Sequence, residues 1–115
     1  MNSLKNSVKL IGHLGSAPEI KRLDNGNLMA KLSLATNESY KNSKGEKVTR
    51  TQWHRLVAWG KVAEVIEKYA RKGSEVAIEG MLLYHNYVDK EGVTRYTTDI
   101  RINEVLFLSK SVAGG

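Results

Sequence analysis

Apolar and polar residues alternate along much of the chain, as they do in strands that bury one face and expose the other. The clearest case lies at residues 28–36, where leucine, alanine and threonine fill the even positions. Similar patterns predict four more strands, at residues 8–14, 49–59, 74–83 and 96–108. A short extended piece at residues 19–23 precedes the clearest strand.

One segment has helical rather than strand periodicity, and it predicts a helix over residues 61–71. Four apolar residues share one face of this helix at positions i, i+3, i+4 and i+7: Val62, Val65, Ile66 and Tyr69. We expect Gly60 to precede the helix as its N-cap. Gly73 is expected to close it, because glycine readily adopts the left-handed conformation found just beyond helix ends.

Three polar segments carry turn or loop signals. Residues 24–27 read Asp-Asn-Gly-Asn, and Asn and Gly tolerate the positive φ of a hairpin turn. Residues 37–48 are rich in turn formers, which predicts a polar loop. Residues 84–96 are predicted to form an exposed hairpin whose turn is Asp-Lys-Glu-Gly at 89–92.

The order of these elements predicts the fold. Five main strands with one helix in the third connection match the OB-fold, a small barrel that binds oligonucleotides on a strand face. We therefore predict an all-β protein, a five-stranded OB-fold barrel with one α-helix between the third and fourth strands and long exposed β-hairpins. A generic small β-barrel is the alternative that periodicity leaves open.

Composition and charge narrow the range of functions. The chain has 115 residues, enough for one domain, and no cysteine, which excludes a disulfide scaffold, a thiolate zinc site and a cysteine nucleophile. Its 18 Lys and Arg against 12 Asp and Glu give a net charge of +6, which favours nucleic acid first and an anionic membrane second. Because no apolar run reaches the ~18 residues of a membrane span and no secretory signal is seen, we expect a cytoplasmic protein with no membrane partner.

One predicted strand carries a surface suited to single-stranded nucleic acid. Trp53, Arg55 and Trp59 share one face of the extended segment, and His54 takes the other. Bases can stack on the two indoles while the guanidinium holds a phosphate, and each stack contributes ~1–3 kcal/mol with little dependence on base sequence. The alternative is that one or both tryptophans are buried in the core.

Aromatic residues also occur in two otherwise polar segments. Tyr40 lies at the start of the predicted loop and Tyr87 inside the exposed hairpin, each among lysines and arginines. Rings interleaved with cations suit a surface around which a strand wraps. By contrast, Tyr69 is expected in the core, and Tyr84 and Tyr96 are expected to pair across the hairpin.

The titratable residues do not predict catalysis. His13, His54 and His85 lie on separate elements and lack the spacing of a metal-binding or catalytic motif. The carboxylates are scattered, whereas a nuclease would need them clustered around a metal or would need a histidine base in a pocket. We predict a binding protein, not an enzyme, with no metal and no cofactor; a small basic nuclease is the enzymatic alternative.

Six segments carry a family resemblance through their order and spacing. They read VKLIGHLG at 8–15 with Pro-Glu at 18–19, LATNESY at 34–40, WHRLVAWGK at 53–61, YARKGS at 69–74, IEG at 78–80 and RYTT at 95–98. Together they resemble bacterial single-stranded DNA-binding protein of the homotetrameric replication type, over nearly the whole chain.

The resemblance implies an OB-fold homotetramer that wraps and protects single-stranded DNA in replication, recombination and repair, at the nucleoid. The family's stacking aromatics fall on four residues: Tyr40, Trp53, Trp59 and Tyr87. Its phosphate contacts fall on six: Lys21, Arg55, Lys61, Arg71, Lys72 and Arg95. Its interface histidine falls on His54, in agreement with the opposite-face position above.

The C-terminal end departs from the family pattern. We expect residues 1–108 to be the DNA-binding domain and residues 109–115 a short flexible end. Family members usually carry a long linker and an acidic tip that recruits replication and repair proteins, and this sequence ends in Val-Ala-Gly-Gly without one. We expect such partners only if a tail exists beyond this chain. A replication-restart protein and an RNA-binding barrel are the other binding-protein alternatives, and a structural oligomer that binds nothing specific is a further one.

Overall fold

A computed structural model describes residues 4–108, which are arranged as six strands and one α-helix after a 3₁₀ turn at Leu4–Asn6. The strands are β1 (Val8–Leu14), β2 (Glu19–Arg22), β3 (Leu28–Lys41), β4 (Lys47–Trp59), β5 (Glu75–Val88) and β6 (Thr94–Phe107). The helix α1 (Gly60–Tyr69) lies between β4 and β5 and packs on β3, β4 and β6. The expected end at residues 109–115 lies outside the described residues.

The strands form one sheet that closes on itself. The order is β1-β5-β6-β4-β3-β2, and β1 closes the barrel by pairing its last residues with β3, His13 with Ala35 and Leu14 with Leu34. The short β2 pairs with β3 as a hairpin partner outside the closure. Without β2 there are five barrel strands, and α1 lies between the third and fourth of them. The predicted OB-fold barrel is confirmed.

The strand alternation predicted the buried face correctly. In β3 the even positions from Leu28 to Leu34 are buried, and Leu34 and Ile66 are the largest fully buried side chains of the described chain. At Gly12 in β1, an added Cβ would collide with the carbonyl oxygen of Ala35 on β3. Glycine at this position therefore lets β1 cross from β5 to β3.

The predicted polar loop at residues 37–48 is wrong. β3 continues to Lys41 and β4 starts at Lys47, so the two strands project from the barrel as a ribbon with a short turn. Side-chain hydrogen bonds join the strands along this ribbon, such as Thr51 Oγ1 to Asn37 Oδ1 at 2.7 Å. Most residues on both faces of the ribbon are exposed, so the sequence shows no apolar alternation there.

The second ribbon is the hairpin of β5 and β6, and the turn predicted for it at residues 89–92 is confirmed. We call the two ribbons the β3–β4 arm (residues 37–51) and the β5–β6 arm (residues 84–98). Both project beyond the region where the strands bury a face. The arms therefore add exposed surface to a barrel whose own core is complete without them.

The helix differs from its prediction at both ends. It starts at Gly60, which has φ +61, so Trp59 and not Gly60 is the N-cap residue. It ends at Tyr69, two residues earlier than expected.

The expectation that Tyr69 lies in the core is wrong. Tyr69 is 59% exposed, and its ring lies at a tilt beside that of Phe107, with the ring centroids 6.1 Å apart. Within the described residues, no helix has the length and apolar character needed to span a membrane.

Candidate nucleic-acid interface

The outer face of β4 exposes both tryptophans. Trp53 is 61% exposed and Trp59 is 38% exposed, while Leu56 and Ala58 on the opposite face are buried in the barrel. The alternative in which the indoles belong to the core is therefore wrong. Strand alternation, read from the sequence, placed these rings correctly.

Trp53 is held in place by a neighbouring backbone. Its strand partner is Ala35, which in turn pairs with His13 at the end of β1. A Cβ built on Gly15 would lie 2.5 Å from Trp53 Cζ3, so the indole packs directly over this glycine. The absence of a side chain at Gly15 gives the ring its position.

Trp59 marks the other end of the same face. It pairs with Met29, and Met29 pairs with Lys21, so one row of side chains crosses three strands from indole to ammonium. Lys61 follows Trp59 in the chain and lies exposed in the first turn of α1. Lys21 thus lies in the same row as Trp59 and Lys61 lies two residues after it in the chain, and both are predicted phosphate contacts.

Arg55 lies between the tryptophans at the edge of an open groove of about 370 Å³. Its side chain is 70% exposed, and its Nε lies 3.5 Å from Asp99 Oδ1 on β6. The groove continues under the segment between β1 and β2 and is lined by Ser16, Ala17, Glu19, Lys31, Leu32, Ser33, Arg55, Leu56, Val57 and Asp99. A cation at such an opening can reach an anion from solvent without leaving the strand face.

The β5–β6 arm extends this face beyond β4. The barrel joins β4 and β6 in parallel, with Leu56 beside Ile100, so Arg55 and Asp99 point to the same side. Tyr87 and Arg95 pair directly across the arm, on the face of Asp99. The described structure thus brings Tyr87 and Arg95 to the same side of the sheet as Arg55.

Arg95 forms an ion pair in the turn of this arm. Its Nε lies 2.9 Å from Asp89 Oδ2. Hydrogen bonds from the Val93 backbone N–H, then from Arg95 and the Glu91 backbone N–H, hold the pKa of Asp89 below its usual range. Arg95 is therefore oriented by a carboxylate while its side chain stays open to solvent.

Tyr40 does not share the face of Trp53. Tyr40 pairs with Val48, and Ala35 pairs with Trp53. Because these two pairs are an odd number of residues apart along the ribbon, the Tyr40 side chain points to the opposite side. There the Arg50 guanidinium lies over the tyrosine ring, 5.7 Å from its centroid. Tyr40 is thus separated from the face that carries Trp53.

Arg71 and Lys72 occupy the turn that follows α1. This turn is tied to the end of β1 by hydrogen bonds from Gly73 N to Leu14 O and from Leu14 N to Ser74 O. The turn is therefore bonded to Leu14, the residue that precedes Gly15, and Trp53 packs on Gly15.

The two cations of this turn differ in their environment. Arg71 Nη1 donates to the carbonyl oxygens of Lys68 and Ala70, where it satisfies the C-terminal end of the helix. Lys72 is exposed. Arg71 thus has a structural role in addition to the one expected from the resemblance.

His54 lies on the opposite face from the tryptophans, as predicted. It is partly buried, and its Nε2 lies 2.9 Å from Thr36 Oγ1. Among residues 4–108, no three His, Asp or Glu side chains are grouped as metal ligands would be.

Two cations on the outer face were missed by sequence reasoning. Lys31 and Arg101 pair with Val57 from either side, so both lie on the face of Arg55. The alternation of β3 could have placed Lys31 there, because it occupies an odd, outward position. Arg101 needed the parallel pairing of β4 with β6, for which the sequence carries no local signal.

Comparison with known proteins agrees with this geometry. The sequence matches the single-strand binding protein family over residues 5–108. A similar structure is that of Plasmodium falciparum SSB in complex with ssDNA, with TM-score 0.84, 34% identity, and coverage of 95% of this chain and 98% of that chain. Another is a deletion mutant of the single-stranded DNA binding protein from Thermus aquaticus, with TM-score 0.78, 26% identity, and coverage of 90% of this chain and 50% of that one. The chain belongs to the single-strand binding protein family.

Proposed function

We propose that this protein binds single-stranded DNA without sequence preference on the outer face of β4 and the two arms. The observation that carries this proposal is the pair of exposed indoles, Trp53 and Trp59, on either side of Arg55. Exposed aromatic rings beside cations fit a strand whose bases stack while its phosphates are neutralised. Four residues supply the stacking surfaces: Tyr40, Trp53, Trp59 and Tyr87.

The phosphate backbone is held by cations around these rings. Six of them follow from the family resemblance: Lys21, Arg55, Lys61, Arg71, Lys72 and Arg95. Lys31 and Arg101 are added because their strand partners place them beside Arg55 on the same face. Each phosphate neutralised on a single strand contributes about −0.7 to the slope of log affinity against log salt.

Duplex DNA is disfavoured on this surface because its bases are already stacked on each other. Binding to the single strand shifts the equilibrium away from hairpins and duplex, as any ligand stabilises the state that it prefers. The role is stoichiometric rather than enzymatic. The protein wraps and shields strands exposed in replication, recombination and repair, and acts where that DNA lies, at the nucleoid in the cytoplasm.

We further propose a homotetramer as the working form, with His54 in an interface between copies. His54 supports this assignment by its position on the face away from the tryptophans and its bond to Thr36. Four copies would combine four stacking faces and thus provide a long path for one strand. Replication and repair proteins are partners only of a form that carries an acidic tail.

The test is a titration of intrinsic tryptophan fluorescence with oligo-dT at two salt concentrations. Stacking should quench the indoles, and higher salt should weaken binding with a slope set by the number of phosphates held. Trp53→Ala should lose affinity while Trp53→Phe keeps most of it. A folded Trp53→Ala protein with unchanged affinity would contradict the proposed site.

Four further measurements separate the alternatives. Equal quenching by oligo-dT and by a hairpin duplex would argue against single-strand selectivity, and tighter binding of oligo-U would favour an RNA-binding barrel. Multiple-turnover cleavage of labelled DNA with Mg²⁺ would support the nuclease. Light scattering of the free protein and of the complex reports the number of copies.

A further inference from the structure

A carboxylate lies between two basic side chains on the proposed DNA face. Asp99 Oδ1 is 3.5 Å from Arg55 Nε, and Asp99 Oδ2 is 3.7 Å from His85 Nε2. The three residues come from three different strands, β4, β6 and β5. The parallel pairing of β4 with β6 and the antiparallel pairing of β5 with β6 together create this juxtaposition.

Asp99 is the enclosed member of the group, and the two basic residues are its outer members. The Asp99 side chain is 23% exposed, compared with 54% for His85 and 70% for Arg55. Asp99 Oδ1 is buried and has no hydrogen-bond partner among the described residues, although it forms an ion pair with Arg55 Nε at 3.5 Å. An anion arriving from solvent would therefore meet the basic groups before the carboxylate.

The charge of this group depends on the state of the imidazole. With His85 neutral, Arg55 and Asp99 cancel. With His85 protonated, the group carries one net positive charge, and each carboxylate oxygen of Asp99 lies beside a cationic side chain. Histidine is the side chain type that ordinarily changes charge between pH 5 and 8, whereas an arginine such as Arg55 keeps its charge.

We propose that His85, in its protonated form, is an additional phosphate contact for single-stranded DNA, and that Asp99 is the positioning residue for His85 and Arg55. This inference rests on the proposed function of the face. A phosphate that binds beside His85 favours the protonated imidazole, so binding takes up a proton. Affinity for DNA therefore rises as the pH falls.

Other charged groups face His85 or lie near it on the same surface. Arg95, paired with Asp89, and Arg101 belong to β6 and its turn, and neither arginine titrates in this range. His13 lies further along the face, in the row of Ala35 and Trp53. His13 is therefore the other histidine of this face, and it serves as the control for His85.

The experiment measures the affinity of oligo-dT that carries a fluorophore with pH-independent emission, at about pH 8 and about pH 5.5, on either side of the ordinary histidine range. We expect the natural protein to bind about two- to fivefold more tightly at the lower pH, the range of one solvent-exposed ion pair. His85→Gln should lose this gain, and His85→Arg should bind tightly at both values. His13→Gln is the matched control and should keep the full response.

Asp99→Asn tests the positioning role. Without the carboxylate the imidazole loses the group that holds it in place for the phosphate, so the pH response should shrink even though His85 is present. Circular dichroism checks that each variant is folded, which the exposure of His85 favours. A response that survives His85→Gln, or that disappears in His13→Gln, overturns the inference. Loss of oligo-dT binding by the natural protein at both pH values would instead refute the proposed function itself.

Discussion

The two arms end in turns of the same design but differ in charge. In the β3–β4 arm, Asn42 Oδ1 accepts hydrogen bonds from the backbone N–H groups two and four residues later, at 2.9 and 3.0 Å. In the β5–β6 arm, Asp89 Oδ1 accepts the equivalent pair, both at 2.9 Å. Gly45 and Gly92 occupy matching positions with φ +79 and +80. One geometry is thus built once on a neutral amide and once on a carboxylate.

The arms also differ in where they direct their aromatic ring. Tyr87 lies on the same side of the sheet as Arg55, whereas Tyr40 lies on the opposite side of its arm from Trp53. Each arm nevertheless sets an arginine beside its tyrosine, Arg95 opposite Tyr87 and Arg50 over Tyr40. The pairing of ring and cation is common to both arms, and the strand register decides which surface receives it.

The largest effect that we expect separates the barrel from both arms. Leu34→Ala should lower the free energy of unfolding by about 2–5 kcal/mol, because Leu34 is fully buried and truncation leaves a cavity. Tyr40→Ala and Tyr87→Ala should each change it by less than about 0.5 kcal/mol, since both rings are exposed. Urea denaturation measures all three. A tyrosine variant as unstable as Leu34→Ala would mean that the arms help to hold the core.

The same tyrosines should matter for DNA. Tyr40→Ala and Tyr87→Ala should each weaken oligo-dT binding by about 1–3 kcal/mol, the contribution of one base stack. Because the rings lie on different surfaces, the double variant should show the sum of the two losses. Tyr→Phe at each position is the control and should retain affinity. Strong non-additivity would indicate that both rings meet the same nucleotides.

The barrel is predictable from the sequence because its strands bury one face. Alternation alone predicts β1, most of β3 and the outward position of Trp53. Alternation does not predict the arms, because most of their side chains are exposed on both faces. Turn residues nevertheless predict the β5–β6 hairpin, whereas the polar pattern of the β3–β4 arm indicates a loop. Once that segment is known to be a hairpin, counting residues from Trp53 gives the side of Tyr40.

Contacts between distant strands lie beyond sequence reasoning. The grouping of Arg55, Asp99 and His85 depends on the parallel pairing of β4 with β6, which no local pattern announces. Tyr69 fits the apolar face of a helix, but its ring lies at the edge of the packed surface beside Phe107. Periodicity predicts which face a side chain takes, and tertiary packing decides how deeply it is buried.

A subtler effect is expected where the barrel supports a stacking ring. Gly15→Ala places a methyl group within contact of the Trp53 indole, so the ring has to move. We expect weaker oligo-dT binding and an altered tryptophan emission, with a smaller loss of affinity than Trp53→Ala. Gly26→Ala has no atom near its Cβ but a positive φ, so it controls for loss of a glycine at a site away from the indole. Unchanged emission and affinity in Gly15→Ala would show that the ring does not depend on this glycine.

The smallest expected effect tests the difference between the two turns. The folded state holds the pKa of Asp89 below the unfolded value of 3.8, so this carboxylate stabilises the fold above that value. The stabilisation is lost as the pH falls through the lower, folded pKa. Asp89→Asn keeps an oxygen to accept both backbone N–H groups, as Asn42 does, and removes the charge that pairs with Arg95.

Acidification from about pH 6 to about pH 3 should therefore destabilise the natural protein slightly more than Asp89→Asn, because the two proteins differ in titratable groups only at position 89. Urea denaturation at the two pH values gives the global difference, and the amide chemical shifts of Glu91 and Val93 report the turn itself. Asn42→Asp would instead place a carboxylate beside Glu46 Oε1, which accepts a hydrogen bond from Asn42 Nδ2 at 3.1 Å, so this variant should destabilise the first turn at about pH 6 more than at about pH 3. If both turns respond to acid equally in the natural protein, the charge at Asp89 is not what distinguishes the arms.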